Sequence, residues 1–187
     1  THDFSVDYVA RVGSRETPPY YTAISLWSSL DGSILFWGWI LSAYAALVAY
    51  VQRDSHSRLT PFASGVIGFV SIFFFGLLVG PASPFGTVFP VPANGPGPNP
   101  LLQNHPLMGL HPPMLYFGYV CLTVPFAFAI AALWMKRYDE WTMVSMPWVL
   151  LSLGSLGTAI MLGGYWALAD AVKPGPLFKR VQAGPRA

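Results

Sequence analysis

Charge is the commodity this sequence has least of. No Asp, Glu, Lys or Arg occurs between Arg58 and Lys136, and none between Asp31 and Arg53. Charged residues make up 10% of the chain and hydrophobic ones 53%, whereas soluble domains carry roughly 25% charge. Uncharged runs of that length exclude an ordinary soluble domain and read as membrane spans. Cysteine is nearly absent too. Cys121 is the only one and lies in an apolar segment; without a CxxC pair, nothing supports disulfides, zinc or thiol redox chemistry. The net charge of +2 comes with no basic stripe interleaved with exposed aromatics, so no nucleic-acid partner is expected. Paired carboxylates inside the apolar segments and any Ser/His/Asp set are also missing, which leaves proton pumping and hydrolysis without residues.

What is present is apolar length. Four segments, roughly 33–51, 62–79, 113–135 and 147–169, are long enough at 1.5 Å per residue to cross a bilayer core of about 30 Å. The expected fold is an all-α integral membrane protein of about four transmembrane helices set in a lipid bilayer, with a Pro/Gly-rich external loop. Residues 1–170 are expected to form the membrane part and 171–187 a basic tail. Ahead of the spans, Phe4, Val6, Tyr8 and Val9 predict a short strand, and Pro18-Pro19 breaks the chain. Pro125 predicts a kink in the third span. Gly154, Gly157, Gly163 and Gly164 read as close helix contacts in the fourth. The positive-inside rule puts the Arg53/Arg58 and Lys136/Arg137 loops in the cytoplasm, and hence the N-terminus and the 80–112 loop outside. Lys173, Lys179, Arg180 and Arg186 disagree with that rule, since the same count leaves them outside as well.

The chemistry-bearing stretch runs from Asn99-Pro100-Leu101-Leu102-Gln103 through His105-Pro106 to His111-Pro112-Pro113. Two prolines suit the first turn of a helix, and the residue before a proline is pushed towards extended backbone. This predicts His111 just outside the third helix, at the membrane surface, with a free imidazole. Neutral imidazole is a good axial ligand for haem iron. A histidine there also serves as a helix cap or bonds a lipid headgroup, and spacing leaves both roles open. His105 reads as a loop histidine, and Met108 and Met114 as packing rather than thioether ligands. Trp27, Trp37, Trp39, Trp148 and Trp166 form either a porphyrin-stacking surface or, as in many membrane proteins, an interfacial belt.

These residues, in this order, resemble the N-terminal part of the haem-handling family of cytochrome c-type biogenesis proteins that includes CcmF, NrfE and CcsA. The resemblance rests on five stretches: His2-Asp3-Phe4-Ser5-Val6; Trp27 with Asp31-Gly32-Ser33 and Leu35 to Trp37; Asn99 to Gln103; His111-Pro112-Pro113 with Leu115-Tyr116, Gly118-Tyr119-Val120; and Trp148 to Leu162-Gly163 and Trp166-Ala167. It implies haem handling in cytochrome c maturation, where haem b arrives transiently from a membrane-anchored haem chaperone. A subunit holding apocytochrome c is the further partner, and the chain is at most part of a haem lyase complex. His111 is then an external axial ligand to the haem iron, with Trp27, Trp37 and Trp166 in the haem surroundings. The setting is the bacterial inner membrane, multi-pass, with the N-terminus and the 80–112 loop periplasmic. The family's tryptophan-rich segment is expected after Trp166, but Leu168-Ala169-Asp170 runs into Ala171-Val172-Lys173-Pro174 instead, as in a fragment, a split-gene product or a degenerate copy. The competing expectation is a scaffold subunit of a transporter or respiratory complex; uncharged spans disfavour ion coupling.

Overall fold

The computed structural model describes residues 2–55, 57–100 and 106–171. Two short helices, α1 (Asp7–Val12) and α2 (Pro19–Ile24), and a 3-10 turn over Ser25–Trp27 precede the long ones. Then come α3 (Leu30–Val51), α4 (Leu59–Val79), α5 (Leu107–Cys121), α6 (Thr123–Met135) and α7 (Tyr138–Ala171). Helices α3, α4, the joined pair α5–α6, and α7 are each long and apolar enough to cross a membrane. The fold is all-α, integral to the membrane and multi-pass.

Three expectations change. The strand expected over Phe4–Val9 is a single isolated bridge, Val6 to Thr87, followed at once by α1. The third span begins at Leu107, so Pro112 and Pro113 lie inside α5 and His111 is helical rather than in front of the helix. Likewise α7 starts at Tyr138 and carries Pro147 in its interior. A proline inside a helix forfeits one backbone bond and crowds the carbonyl four residues back, so packing must hold the extra turn. It does so at α5, where a Cβ on Gly109 would collide with the Tyr20 hydroxyl and Ile24 of α2. Only a glycine lets α2 sit this close. Pro125 falls in the first turn of α6, and the chain breaks at Leu122 just before it, in keeping with the expected kink.

The turn between α6 and α7 is tight. Lys136 takes the left-handed conformation (φ 54°), and the Arg137 N–H reaches back to the Ala132 carbonyl at 3.0 Å, which satisfies one of the orphan carbonyls of the helix end.

The two ends of the bundle are distinct. At one end, Ser57 in the α3–α4 loop donates to Glu140 Oε2 of α7 at 3.1 Å, so the Arg53/Arg58 loop and the Lys136/Arg137 turn share an end. At the other, residues 2–29 and the 80–98 loop close over α3: Asp7 N–H bonds the Gly86 carbonyl (2.7 Å), Val88 N–H the Ser5 carbonyl (2.9 Å), and Arg15 Nε the Ala93 carbonyl (3.1 Å). Arg11 pairs with Asp31 in the first turn of α3 at 2.7 Å, where a carboxylate also favours the helix dipole.

In the middle, α5 lies against α7, α6 against α4 and α7, and α3 against α4 and α5. The buried core draws on all of them, with Ile40, Leu59, Ile67, Val124, Phe128 and Trp148 among its largest members. Most polar groups inside it are answered internally, as lipid requires; among the described residues Trp27 Nε1 and Thr60 Oγ1 are the buried side-chain atoms that are not. Tyr44 Oη of α3 donates to the Phe117 carbonyl of α5 at 3.0 Å. Ser152 Oγ donates to the Trp148 carbonyl of its own helix at 2.8 Å, and the Cys121 thiol approaches the same carbonyl at 3.5 Å.

Candidate functional site

Helices α5 and α7 run antiparallel, because His111 meets Gly163, Gly118 meets Leu156 and Cys121 meets Trp148. The helices come unusually close. A Cβ on Gly118 would lie 2.5 Å from Leu156 Cγ, and one on Gly163 would lie 2.6 Å from His111 Cε1, 3.1 Å from Nδ1 and 3.2 Å from Nε2. The N–C–N edge of the imidazole therefore rests on the bare backbone of α7. Its Nδ1 lies 2.8 Å from the Ala159 carbonyl oxygen. A carbonyl only accepts, so Nδ1 is the donor, and in the neutral ring the lone pair is left on Nε2. Ala159 O is also the helix acceptor for Gly163 N–H, and its two lone pairs serve both donors.

The imidazole is thus half-buried and engaged at one nitrogen, where a free ring was expected. That changes its chemistry in a useful direction. A ring held through Nδ1–H to a carbonyl, which leaves the Nε2 lone pair outside that bond, is the arrangement that orients and strengthens a metal-ligating histidine. Among the described residues no three His, Cys, Asp or Glu side chains converge.

The tryptophans separate into groups. Trp166 lies three residues beyond Gly163 and seven beyond Ala159, hence on the His111-facing side of α7. Trp37 stacks on Phe74 at 5.4 Å and tilts against Tyr116 at 5.7 Å. With Pro112, Leu115, Tyr116 and Tyr119 it lines an apolar cavity of about 300 Å³, which the residue after His111 shares. Trp27 packs on Phe36 at 5.3 Å, a layer further away, and its indole Nε1 is buried without a hydrogen-bond partner. Trp148 is 5% exposed, a core residue and not a belt one, whereas Trp39 and Trp134 are exposed. His105 and the Leu101–Gln103 part of the motif lie outside the described residues, as do His56 and 172–187.

Sequence reasoning missed the partner of His111. Gly163 was visible as one of several glycines in the fourth span, but Gly154, Gly157 and Gly164 meet nothing within 4 Å among the described residues. Nothing local distinguishes Gly163. Its role is set by an antiparallel register that brings His111 against Ala159, 48 positions on, and Gly163 beside it.

A family model described as cytochrome C assembly protein matches residues 27–172, a stretch that holds every residue of the His111 site. The chain belongs to the cytochrome c assembly protein family. Among its relatives, the cytochrome c-type biogenesis protein CcmF of Pseudomonas fluorescens is 41% identical over 169 residues, covering 89% of this chain and 26% of the relative. CcmF of Haemophilus influenzae is 36% identical over 168 residues, with the same two shares. The cytochrome c-type biogenesis protein NrfE of Haemophilus influenzae is 34% identical over 166 residues, covering 88% of this chain and 26% of that one. The chain thus spans about a quarter of the length of the curated relatives it matches. No solved structure matches it.

Proposed function

We propose that this chain handles haem during cytochrome c maturation, with His111 as an axial ligand to the iron of haem b. The haem is cargo, taken from a haem chaperone and held for attachment to apocytochrome c, which a further subunit presents. In this reading the protein sits in the bacterial inner membrane, and the end formed by residues 2–29 and the 80–98 loop faces the periplasm. The names of the family relatives support the process. The positive charges gathered at the opposite end of the bundle, on the Arg53/Arg58 loop and the Lys136/Arg137 turn, support the orientation.

One observation carries the residue assignment: His111 Nδ1 is committed to the Ala159 carbonyl at 2.8 Å, so Nε2 is the atom left to donate to iron. The chain's own residues do three things. Gly163 leaves room for the ring, the Ala159 carbonyl fixes which nitrogen carries the proton, and the apolar surface of Trp37, Pro112 and Tyr116 is of a kind that accepts a porphyrin edge. The test is co-purification from haem-replete cells. Wild-type protein should carry a Soret band and a positive pyridine haemochrome, and His111→Ala should lose both while keeping its helical content. Unchanged haem in His111→Ala would contradict the assignment; no haem in either protein would favour a scaffold.

A further inference from the structure

We infer that Gly163 is a positioning residue for His111, acting with the Ala159 carbonyl as a seat on α7 that fixes the imidazole in the Nδ1–H tautomer and so aims Nε2 at haem iron. This rests on the reading of His111 as the ligand. The ring edge occupies the volume where any other residue at 163 would place its Cβ, 2.6 Å from Cε1. Real Cβ atoms do not approach that closely. The first carbon added at 163 must push the ring off α7 or α7 away from α5, and either movement stretches the 2.8 Å bond to Ala159 O. Gly164, one position on, meets nothing within 4 Å, so alanine there adds the same carbon without touching the ring. The adjacent glycines of one helix therefore separate positioning from helix propensity, which the two substitutions change alike.

The seat has a consequence for the ligand as well as for the ring. A histidine bonded through its distal N–H to a fixed acceptor is a more basic, better oriented ligand, and losing such an outer partner typically weakens metal affinity about 10–100-fold. The experiment uses the 187-residue chain in lipid nanodiscs with isotopically labelled histidine. Ring-nitrogen NMR without haem should show His111 protonated at Nδ1 in the wild type and in Gly164→Ala, and a mixed or inverted tautomer in Gly163→Ala. Titration with hemin should weaken in the order of about 10–100-fold for Gly163→Ala and stay unchanged for Gly164→Ala. Should Gly163→Ala fail to fold, the double variant His111→Ala/Gly163→Ala should fold as His111→Ala does, because the ring it collides with is gone. A wild-type ring protonated at Nε2 overturns the proposal, as does a Gly163→Ala protein whose tautomer matches the wild type, or a double variant no more stable than Gly163→Ala. If His111→Ala binds hemin like the wild type while the tautomer result holds, the seat stands and the ligand reading falls.

Discussion

Helix α4 and the α5–α6 span look alike as strings, both uncharged and both dotted with glycine and phenylalanine, yet they are buried to different extents among the described residues. Half of the most apolar window of α5–α6 is buried, against 17% for α4. Gly109 and Gly118 of α5 are filled by Tyr20 and Leu156, whereas Gly65, Gly68 and Gly76 of α4 meet nothing within 4 Å. Phe69, Ile72, Phe73 and Val79 of α4 are exposed. Lipid is as apolar as leucine, so burial alone does not decide which face of a span turns inward; close backbone approach and internal polar contacts do. The polar contacts of this bundle gather on the enclosed span, at His111 and at the Phe117 carbonyl that receives Tyr44. Helix α4 presents apolar side chains outwards and packs with the face that holds Leu59, Ala63 and Ile67.

The contrast is sharpened most by moving one residue between the two settings. Gly118→Val should destabilise by about 1–3 kcal/mol, the usual range for overpacking, while Gly68→Val should stay within about 0.5 kcal/mol; reversible unfolding in mixed micelles measures both. Equal losses would erase the difference between the spans. A smaller effect is expected at the water-facing cap. The Tyr8 hydroxyl donates to the Ser25 and Leu26 carbonyls at 2.8 and 2.9 Å, so Tyr8→Phe should cost about 1 kcal/mol, read as faster proteolysis near residues 12–18. Burial holds the Tyr8 hydroxyl above its ordinary range. Its contribution is accordingly whole at neutral pH and is lost as pH climbs past about 10, and Tyr8→Phe should flatten that part of the pH–stability curve. Tyr44→Phe removes an interhelical bond within the bundle and should cost about 0.6 kcal/mol. Least of all, Asp31→Asn breaks a partly exposed pair with Arg11 and should change stability by about 0.5 kcal/mol or less.

The number of spans was legible because missing charge is a property of composition, and composition needs no register. The shared end of the two basic loops was legible for the same reason, and the Ser57–Glu140 bond agrees with it. The start of α5 was not. The rule that puts proline in a first turn is local, and here it yields to packing, since Tyr20 and Ile24 against Gly109 hold a turn of helix ahead of Pro112. His111 stood out by its proline neighbours, but its working partners did not. An imidazole, a carbonyl 48 residues away and a glycine four residues beyond that carbonyl meet only once α5 and α7 are antiparallel at the observed offset. The polar contacts among Tyr44, Phe117, Cys121 and Trp148 escaped for the same reason.

The most direct test asks whether iron in the bound porphyrin carries a nitrogen of His111. With hemin added to the chain in nanodiscs and histidine isotopically labelled, electron–nuclear double resonance of the ferric complex should show a histidine nitrogen coupling in the wild type and in Gly164→Ala. The same coupling should be absent in His111→Ala. A coupling that survives His111→Ala, or a wild-type complex with none, would contradict the assignment of this imidazole as the haem ligand.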